Sequence, residues 1–196
     1  MINAALPLMT IYRTPQKADF QKMWSTEMNR SGTYLRISYS LPIYTIPEEL
    51  LNTMLVRHKV NDSDRKMLLT KIHEQKKNIQ NLLKNGKLQD VVCNIPDDEF
   101  DSHPPFLSLN NIFYERNLDY TKEEYRKHLE ASIEFSRQHE NYSFKLSDNY
   151  DFRNIELLIH RKKWVILSKN HSPIIHFVIR HPLLQNALEK LAQYYV

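Results

Sequence analysis

His160 and Lys162 stand as an H-x-K in IELLIHRKKWVILSK, a stretch whose pattern predicts two strands. The lysine supplies positive charge that can hold an anion without any chemistry. The histidine asks for more, because a buried imidazole that takes on charge needs a partner to fix its tautomer and support that charge. The plainer alternative is a polar edge, with both residues solvated at the ends of neighbouring strands. A second candidate lies early in the chain. In TYLRISYSLPIY, Tyr34, Arg36 and Ser38 alternate with Leu35, Ile37 and Tyr39. The alternation predicts a strand that ends before Pro42, with Arg36 and Tyr39 on opposite faces. If that strand is central, an inward arginine is costly unless it is paired or holds a ligand. Arg36 is therefore the best single candidate for reading an anionic effector, and Tyr39 is grouped with it. The alternative is an edge-strand arginine in solvent.

Other groupings carry less chemistry. His171, His176 and His181 recur every five residues near His160. Zinc sites draw on H-x-H, H-x-x-x-H or cysteine pairs, and five-residue spacing around strands sends alternate side chains to opposite faces. No metal and no cofactor is expected. Asp97, Asp98, Glu99 and Asp101 read as a solvated linker that runs into Pro104 and Pro105. The single cysteine, Cys93, excludes an intramolecular disulfide, fits a reducing cytoplasm and reads as a small buried residue. Two glycines in 196 residues leave no G-x-G-x-x-G and no Walker A loop. The net charge of +4 permits an anionic partner without requiring one, since Lys and Arg are interspersed with Asp and Glu. Lys66, Lys77 and Lys84 fall on one side of a helix, where acidic and amide neighbours dilute them; a charged solvent face or a dimer flank outweighs a phosphate-tracking surface. No run of 18 apolar residues is present, so no membrane span is expected, and no basic segment precedes the short apolar start, so no signal peptide is expected.

The elements that position these residues alternate in type. Thr14 and Pro15 open a helix carrying Phe20, Met23 and Trp24, and Gly32 can close it. Thr45 and Glu48 form a capping box before a short helix. Asn61 to Asn85 is the longest helix, acidic at its start, rich in lysine at its end and stopped by Gly86. Its apolar stripe of Leu68, Ile72, Ile79, Leu82 and Leu83 breaks at Gln75 and Lys76, which predicts a middle partly exposed to water. KLQDVVCNIP is a short strand, and FLSLNNIFY is a strand or a helical turn. Thr121 and Glu124 cap a helix whose stripe is Tyr125, Leu129 and Ile133. YSFKLS, IELLIH, KWVILSK and IIHFVI are four strands. A last helix from Pro182 places Leu184, Leu188, Leu191 and Tyr195 on one face.

The order of four strands and a helix from Asn141 to Val196, with the H-x-K, resembles the second half of a phospholipase-D-like domain. The resemblance implies a histidine nucleophile at His160 and phosphate neutralisation by Lys162. Leu167 stands where that family has an aspartate, and Ile174, Ile175 and Phe177 stand where it has G-S-x-N. A second H-x-K is also lacking, His58-Lys59 not having the spacing. GTYLRISYSLPIYTIPEELL, YTKEEYRKHLEASIEFSRQHENYSF and VILSKNHSPIIHFVIRHPLLQNALEKL resemble the effector-sensing C-terminal portions of helix-turn-helix transcriptional regulators of low-GC Gram-positive bacteria. Such portions often carry degenerate phospholipase-D-like halves that sense rather than cut.

The expectation is an α+β fold, with helices packed on a mostly antiparallel sheet and a phospholipase-D-like C-terminal part. It is one effector-type domain with possible lobes at 1–100 and 106–196. The implied role is non-enzymatic and cytoplasmic: a homodimer that binds an unknown small-molecule effector, anionic if Arg36, Tyr39, His160 and Lys162 hold it. DNA would be met only through a helix-turn-helix module absent from this chain, and no membrane is involved. The alternatives are a degenerate or subunit-shared phosphodiesterase and a basic nucleic-acid-binding protein.

Overall fold

The computed structural model describes residues 7–28, 30–149 and 152–196. In chain order its elements are β1 (Met9–Arg13), α1 (Lys17–Met28), β2 (Thr33–Ser38), α2 (Glu48–Arg57), α3 (Asp62–Asn85), β3 (Lys87–Cys93), β4 (Phe106–Leu107), β5 (Leu118–Asp119), α4 (Lys122–Gln138), β6 (Tyr142–Ser147), β7 (Ile155–His160), β8 (Trp164–Lys169), β9 (Ile175–Ile179) and α5 (Pro182–Ala192). The fold is α+β. Seven strands form one mixed sheet in the order β1-β9-β8-β7-β2-β3-β6, and β4 and β5 make a separate small pair. The pairs from β1 across to β2 are antiparallel, whereas β2-β3 and β3-β6 are parallel. Strands from both sides of the 97–105 segment enter this sheet. The four C-terminal strands are not contiguous: β7, β8 and β9 form a meander, but β6 lies at the far edge with β2 and β3 between. The edge strand β1, with its β-branched and aromatic Thr10, Ile11 and Tyr12, is an element the alternation rule did not mark.

Side-chain alternation divides the sheet into two faces. Tyr34, Leu88, Tyr142, Leu158, Trp164, Ile166 and Val178 pack beneath α1, α2, α3 and α4 in the larger core. Leu35, Ile37, Val91, Leu157, Ile159, Val165 and Ile179 form the smaller core with Ala192 of α5. α5 is rotated from the predicted stripe. Gln185 and Ala192 are buried and Leu188 packs partly inward, while Leu184 and Leu191 point outward. α4 likewise turns polar residues in, since His128 and Ser132 are fully buried and Leu129 is only partly so.

Side-chain caps start two helices, one of them the predicted box at α4. Asn61 accepts from the Asp64 N–H at 2.9 Å to start α3, and Thr121 and Glu124 form a reciprocal box at α4. At α2 they do not. Pro47 occupies the N-cap position without a side-chain bond. Thr45 instead donates to the Pro42 carbonyl at 2.8 Å and touches Ser132 and His128, because a buried hydroxyl is better satisfied there than at a helix end.

Both glycines serve close approach rather than a left-handed turn, since neither has a positive φ. Gly32 does not close α1, which ends at Met28. A β-carbon on Gly32 would lie 2.2 Å from His160 Nε2, and one on Gly86 would lie 2.5 Å from the Gly32 carbonyl oxygen. The chain thus brings two backbones and an imidazole together where β2 and β3 begin, and Lys87 N–H donates to the Gly32 carbonyl at 2.8 Å. Gly32→Ala is expected to lower the unfolding free energy by about 1–3 kcal/mol in urea denaturation. In a His160→Ala background the loss should shrink; an equal loss in both backgrounds would show that the ring contact is not its cause.

Candidate functional site

Arg36 projects from the middle of β2, the strand flanked by β3 and β7, and is buried. The guanidinium sits between two carboxylates on the neighbouring strands. Its Nε and Nη2 lie 2.8 Å and 2.7 Å from Glu156 Oε2 of β7. Its Nη1 lies 3.5 Å from Asp90 Oδ1 of β3. Its Nη2 also donates to the Ser40 carbonyl at 3.1 Å. Register explains the placement, because Arg36 pairs with Asp90 across the parallel ladder and Glu156 is the diagonal neighbour across the antiparallel one. Asp90 is fully buried and accepts hydroxyl hydrogens from Tyr44 and Tyr142, the latter at 2.5 Å. Glu156 Oε1 accepts from Asn111 Nδ2 at 3.2 Å.

The electrostatics follow from burial with unequal charge. Burial works against the Arg36 charge, but Glu156 and Asp90 outweigh it and its pKa is raised. Burial pushes Asp90 up, opposed by Arg36 and the two tyrosines. Burial and the Asp90 charge hold both tyrosine hydroxyls well above their ordinary value, so they stay donors. Burying a guanidinium with two carboxyl groups is expensive unless hydrogen bonds or proton uptake compensate it, and the upward shift at Asp90 moves that acid toward its neutral form.

A void opens beside this cluster. Arg36, Glu156, Tyr44 and Asn111 line it together with Trp24 of α1, Gln75 of α3 and five aliphatic side chains, so that most of its wall is apolar. Its water-accessible volume is about 20 Å³, room for roughly one water molecule. The break in the α3 stripe is thus not a solvent-exposed middle. Gln75 is buried and accepts from Trp24 Nε1 at 3.0 Å, and half-buried Lys76 donates to the Ile46 carbonyl at 2.6 Å.

The four residues proposed from sequence do not converge. Arg36 is neither an edge residue nor free, being engaged by Glu156 and Asp90. Tyr39 lies past the end of β2, buried, with its hydroxyl donating to the His103 carbonyl at 2.7 Å. His160 is not a solvated strand end. It is buried, stacked on Tyr34 at 4.3 Å and set edge-on to Trp164, and burial lowers its pKa. Its Nδ1 has no hydrogen-bond partner among the described residues. Lys162 sits in the β7–β8 turn with a φ of 63° and an exposed side chain. The H-x-K is therefore split between a packed interior and a hairpin tip. Asp90, Glu156, Tyr44 and Gln75 were missed as site residues; an acid inside each of DVVC and IELLIH was the available signal.

Two further histidines form closed internal networks. His128 is fully buried between the Tyr120 hydroxyl at 2.6 Å and the Pro42 carbonyl at 3.1 Å, and burial takes its pKa down to about 3. His176 lies 2.8 Å from Ser168 Oγ, stacks on Phe20 at 4.1 Å and is lowered by burial to about 4. Among the described residues no group of three or more His, Cys, Asp or Glu is placed to hold a metal ion, and no helix is long and apolar enough to cross a membrane.

No protein-family profile matches the chain, and no curated protein matches its sequence. Among solved structures, the archaeal chromatin protein TrmBL2 aligns over 99% of this chain and 54% of its own, with a TM-score of 0.43 and 11% identity. The chain spans about half the length of that protein, and likeness at this level carries no functional argument.

Two predictions follow from the buried charges. Arg36→Met leaves two carboxylates without their cation and is expected to cost about 3–5 kcal/mol of stability. Arg36→Met combined with Asp90→Asn and Glu156→Leu should recover much of that loss in urea denaturation; no recovery would mean that the ions are not the source. For His128 and His176 the folded pKa values lie below the ordinary 6.5. The unfolded chain therefore takes up protons first as pH falls. Their contribution is intact above pH 6.5 and is lost below it, at up to about 1.4 kcal/mol per pH unit for each histidine. Urea titrations between pH 7 and 5 should show this slope, and His128→Gln should remove about one proton's worth of it.

Proposed function

We propose that this chain is a non-enzymatic regulatory domain that senses a small molecule at the Arg36–Asp90–Glu156 cluster. The observation that carries the reading is the cluster itself. Arg36, Asp90 and Glu156 meet in the centre of a sheet, beside a small void, where apolar residues would cost less. Such an arrangement is best explained by a task other than stability. The phosphodiesterase reading is less well supported, since His160 is enclosed by Tyr34, Trp164 and Gly32, and its Nδ1 has no hydrogen-bond partner among the described residues to fix its tautomer. The resemblance of the chain to effector-sensing portions of transcriptional regulators is of a piece with this role. DNA contact would then belong to another module, and ligand would bias one of two arrangements of a homodimer through its differential affinity for them.

Native mass spectrometry of protein purified without denaturation is expected to show a homodimer with an extra mass that denaturation releases. A bare chain whose melting temperature also ignores a panel of cationic, zwitterionic and anionic metabolites would sink the reading. Hydrolysis of bis(p-nitrophenyl) phosphate that disappears in His160→Ala would replace it with the phosphodiesterase.

A further inference from the structure

The two faces of the seven-stranded sheet are covered unequally. Residues from α1, α2, α3 and α4 enter the larger core, whereas α5 is the one helix that contributes to the smaller core among the described residues. Register shows where that cover ends. One row on the α5 face runs through Leu157, Leu167, Phe177 and Ile11, across β7, β8, β9 and β1. Leu157 is buried, Leu167 and Phe177 are partly exposed, and Ile11 is 41% exposed. In a neighbouring row Ile179 is buried, whereas its β1 partner Met9 is 51% exposed. β1 and the adjoining part of β9 thus form an apolar shelf that α5 leaves open. α5 has a matching surplus. Leu183, Leu184 and Leu191 are exposed and fall within an arc of about 100°. Leu183 is 75% exposed, and Tyr194 in the turn that follows is 87% exposed. The arc carries no charge, since the only charged residues of α5 are Glu189 and Lys190. Glu189 lies on the opposite flank, where it accepts from the Lys162 N–H of the β7–β8 hairpin at 3.0 Å. The arc therefore faces away from that hairpin, on the side of the shelf.

We propose that α5 and the β1–β9 shelf form the interface of a twofold-symmetric homodimer, in which each copy lays its Leu183–Leu184–Leu191 arc on the Met9–Ile11–Phe177 shelf of the other. The inference rests on the homodimer proposed above and assigns its surface. The chain presents both halves of one contact, a helix arc without a sheet and a sheet shelf without a helix. A twofold axis joins the halves twice, residue i meeting j as j meets i. The size fits a second copy. The exposed apolar area of arc, turn and shelf is on the order of 600 Å² per copy and 1,200 Å² for the pair, the low end of specific interfaces. An area at that end implies a dissociation constant on the order of micromolar. Charge separates a protein partner from a lipid surface. Helices that lie on membranes set Lys and Arg along the polar face, whereas α5 has one residue of each sign. An uncharged apolar centre with exposed Asn186 and Gln193 at its rim is the composition of a protein interface.

The test follows the full chain by sedimentation velocity from about 1 to 200 μM, a range over which a micromolar dimer assembles. Leu191→Glu places a charge in the arc and Ile11→Lys places one on the shelf, both at exposed positions. Each alone is expected to raise the dimer Kd about a hundredfold, tenfold for each of the two equivalent contacts. An equimolar mixture of the two variants should recover most of the association, because one contact is then unaltered and the other sets Glu against Lys. Hydrogen exchange on the unaltered chain should show α5 and β1 amides gaining protection over the same concentrations, which keeps the test open if a variant is misfolded by circular dichroism. A dimer that neither substitution weakens, with exchange in α5 and β1 independent of concentration, would overturn this interface and leave the homodimer standing on another surface. A chain that stays monomeric throughout the range would remove the interface and the homodimer together, without bearing on ligand binding at the Arg36 cluster. A monomer that co-sediments with phosphatidylcholine–phosphatidylserine vesicles, and ceases to in Leu191→Glu, would overturn the proposal in favour of a membrane surface.

Discussion

The rest of the structure is arranged around an arginine in the middle of a sheet. Arg36 draws Asp90 from β3 and Glu156 from β7 onto one plane, so three strands from distant parts of the chain are held at one level. The same cluster fixes the loops above it. The Ser40 carbonyl accepts from Arg36, and Ser40 Oγ in turn accepts from the Ser108 N–H at 2.9 Å. Tyr44 and Tyr142 reach Asp90 from a loop and an edge strand. A one-residue slip of β3 or β7 would turn its acid to the α5 side and leave Arg36 uncompensated. The ions therefore specify register, at a cost in stability that a wholly apolar interior would not carry.

Polar nodes of the same kind recur across the helix-covered face. His128 fastens α4 to the loop at Pro42, and Thr45 and Ser132 fill the space beside it. His176 joins β9 to β8 and lies 3.3 Å from the Asn110 carbonyl. Trp164 donates to Glu27 at 2.8 Å and ties the end of α1 to β8. Each node satisfies a loop or helix end that would otherwise bury an unpaired group. Together they tie the helices and loops to one continuous core on this face of the sheet. α1 and α3 share this core, and Trp24 donates to Gln75 across their contact at 3.0 Å.

Local rules made much of this legible in the sequence. Alternation located β2, short apolar runs located β7, β8 and β9, charge bias and Gly86 located α3, and a capping box located α4, because those signals are carried by residues a few positions apart. The condition set on Arg36, paired or liganded if its strand is central, was the right question. Its answer needed strand order, which depends on contacts between residues 54 and 120 positions apart. The same limit explains Thr45 and Gln75. Each obeys a plausible local rule, a capping box or an exposed helix middle, and each is taken instead by a tertiary partner. The parallel placement of β3 and β6 is also absent from any local pattern, since it is the helices between strands that decide which edge a strand joins.

The H-x-K shows how little a short motif says without its backbone. In an uninterrupted strand, residues two apart share a face, and His160 and Lys162 would present imidazole and ammonium together. Here the strand stops at His160, which pairs with Trp164, so Arg161, Lys162 and Lys163 form the hairpin loop. Lys162 takes the left-handed conformation that such a three-residue loop demands, and its N–H donates to Glu189 of α5 at 3.0 Å. His160 turns the other way, onto Tyr34 and against Gly32, where an added β-carbon would collide with it. Its ring does the packing work of an aromatic residue. The buried ion pair of this strand lies instead at Glu156, four residues earlier on the same face, where an acid meets Arg36 at the sheet centre. Strand alternation puts both residues on one face; what separates a packing histidine from a paired carboxylate is the side chain each one meets across the sheet.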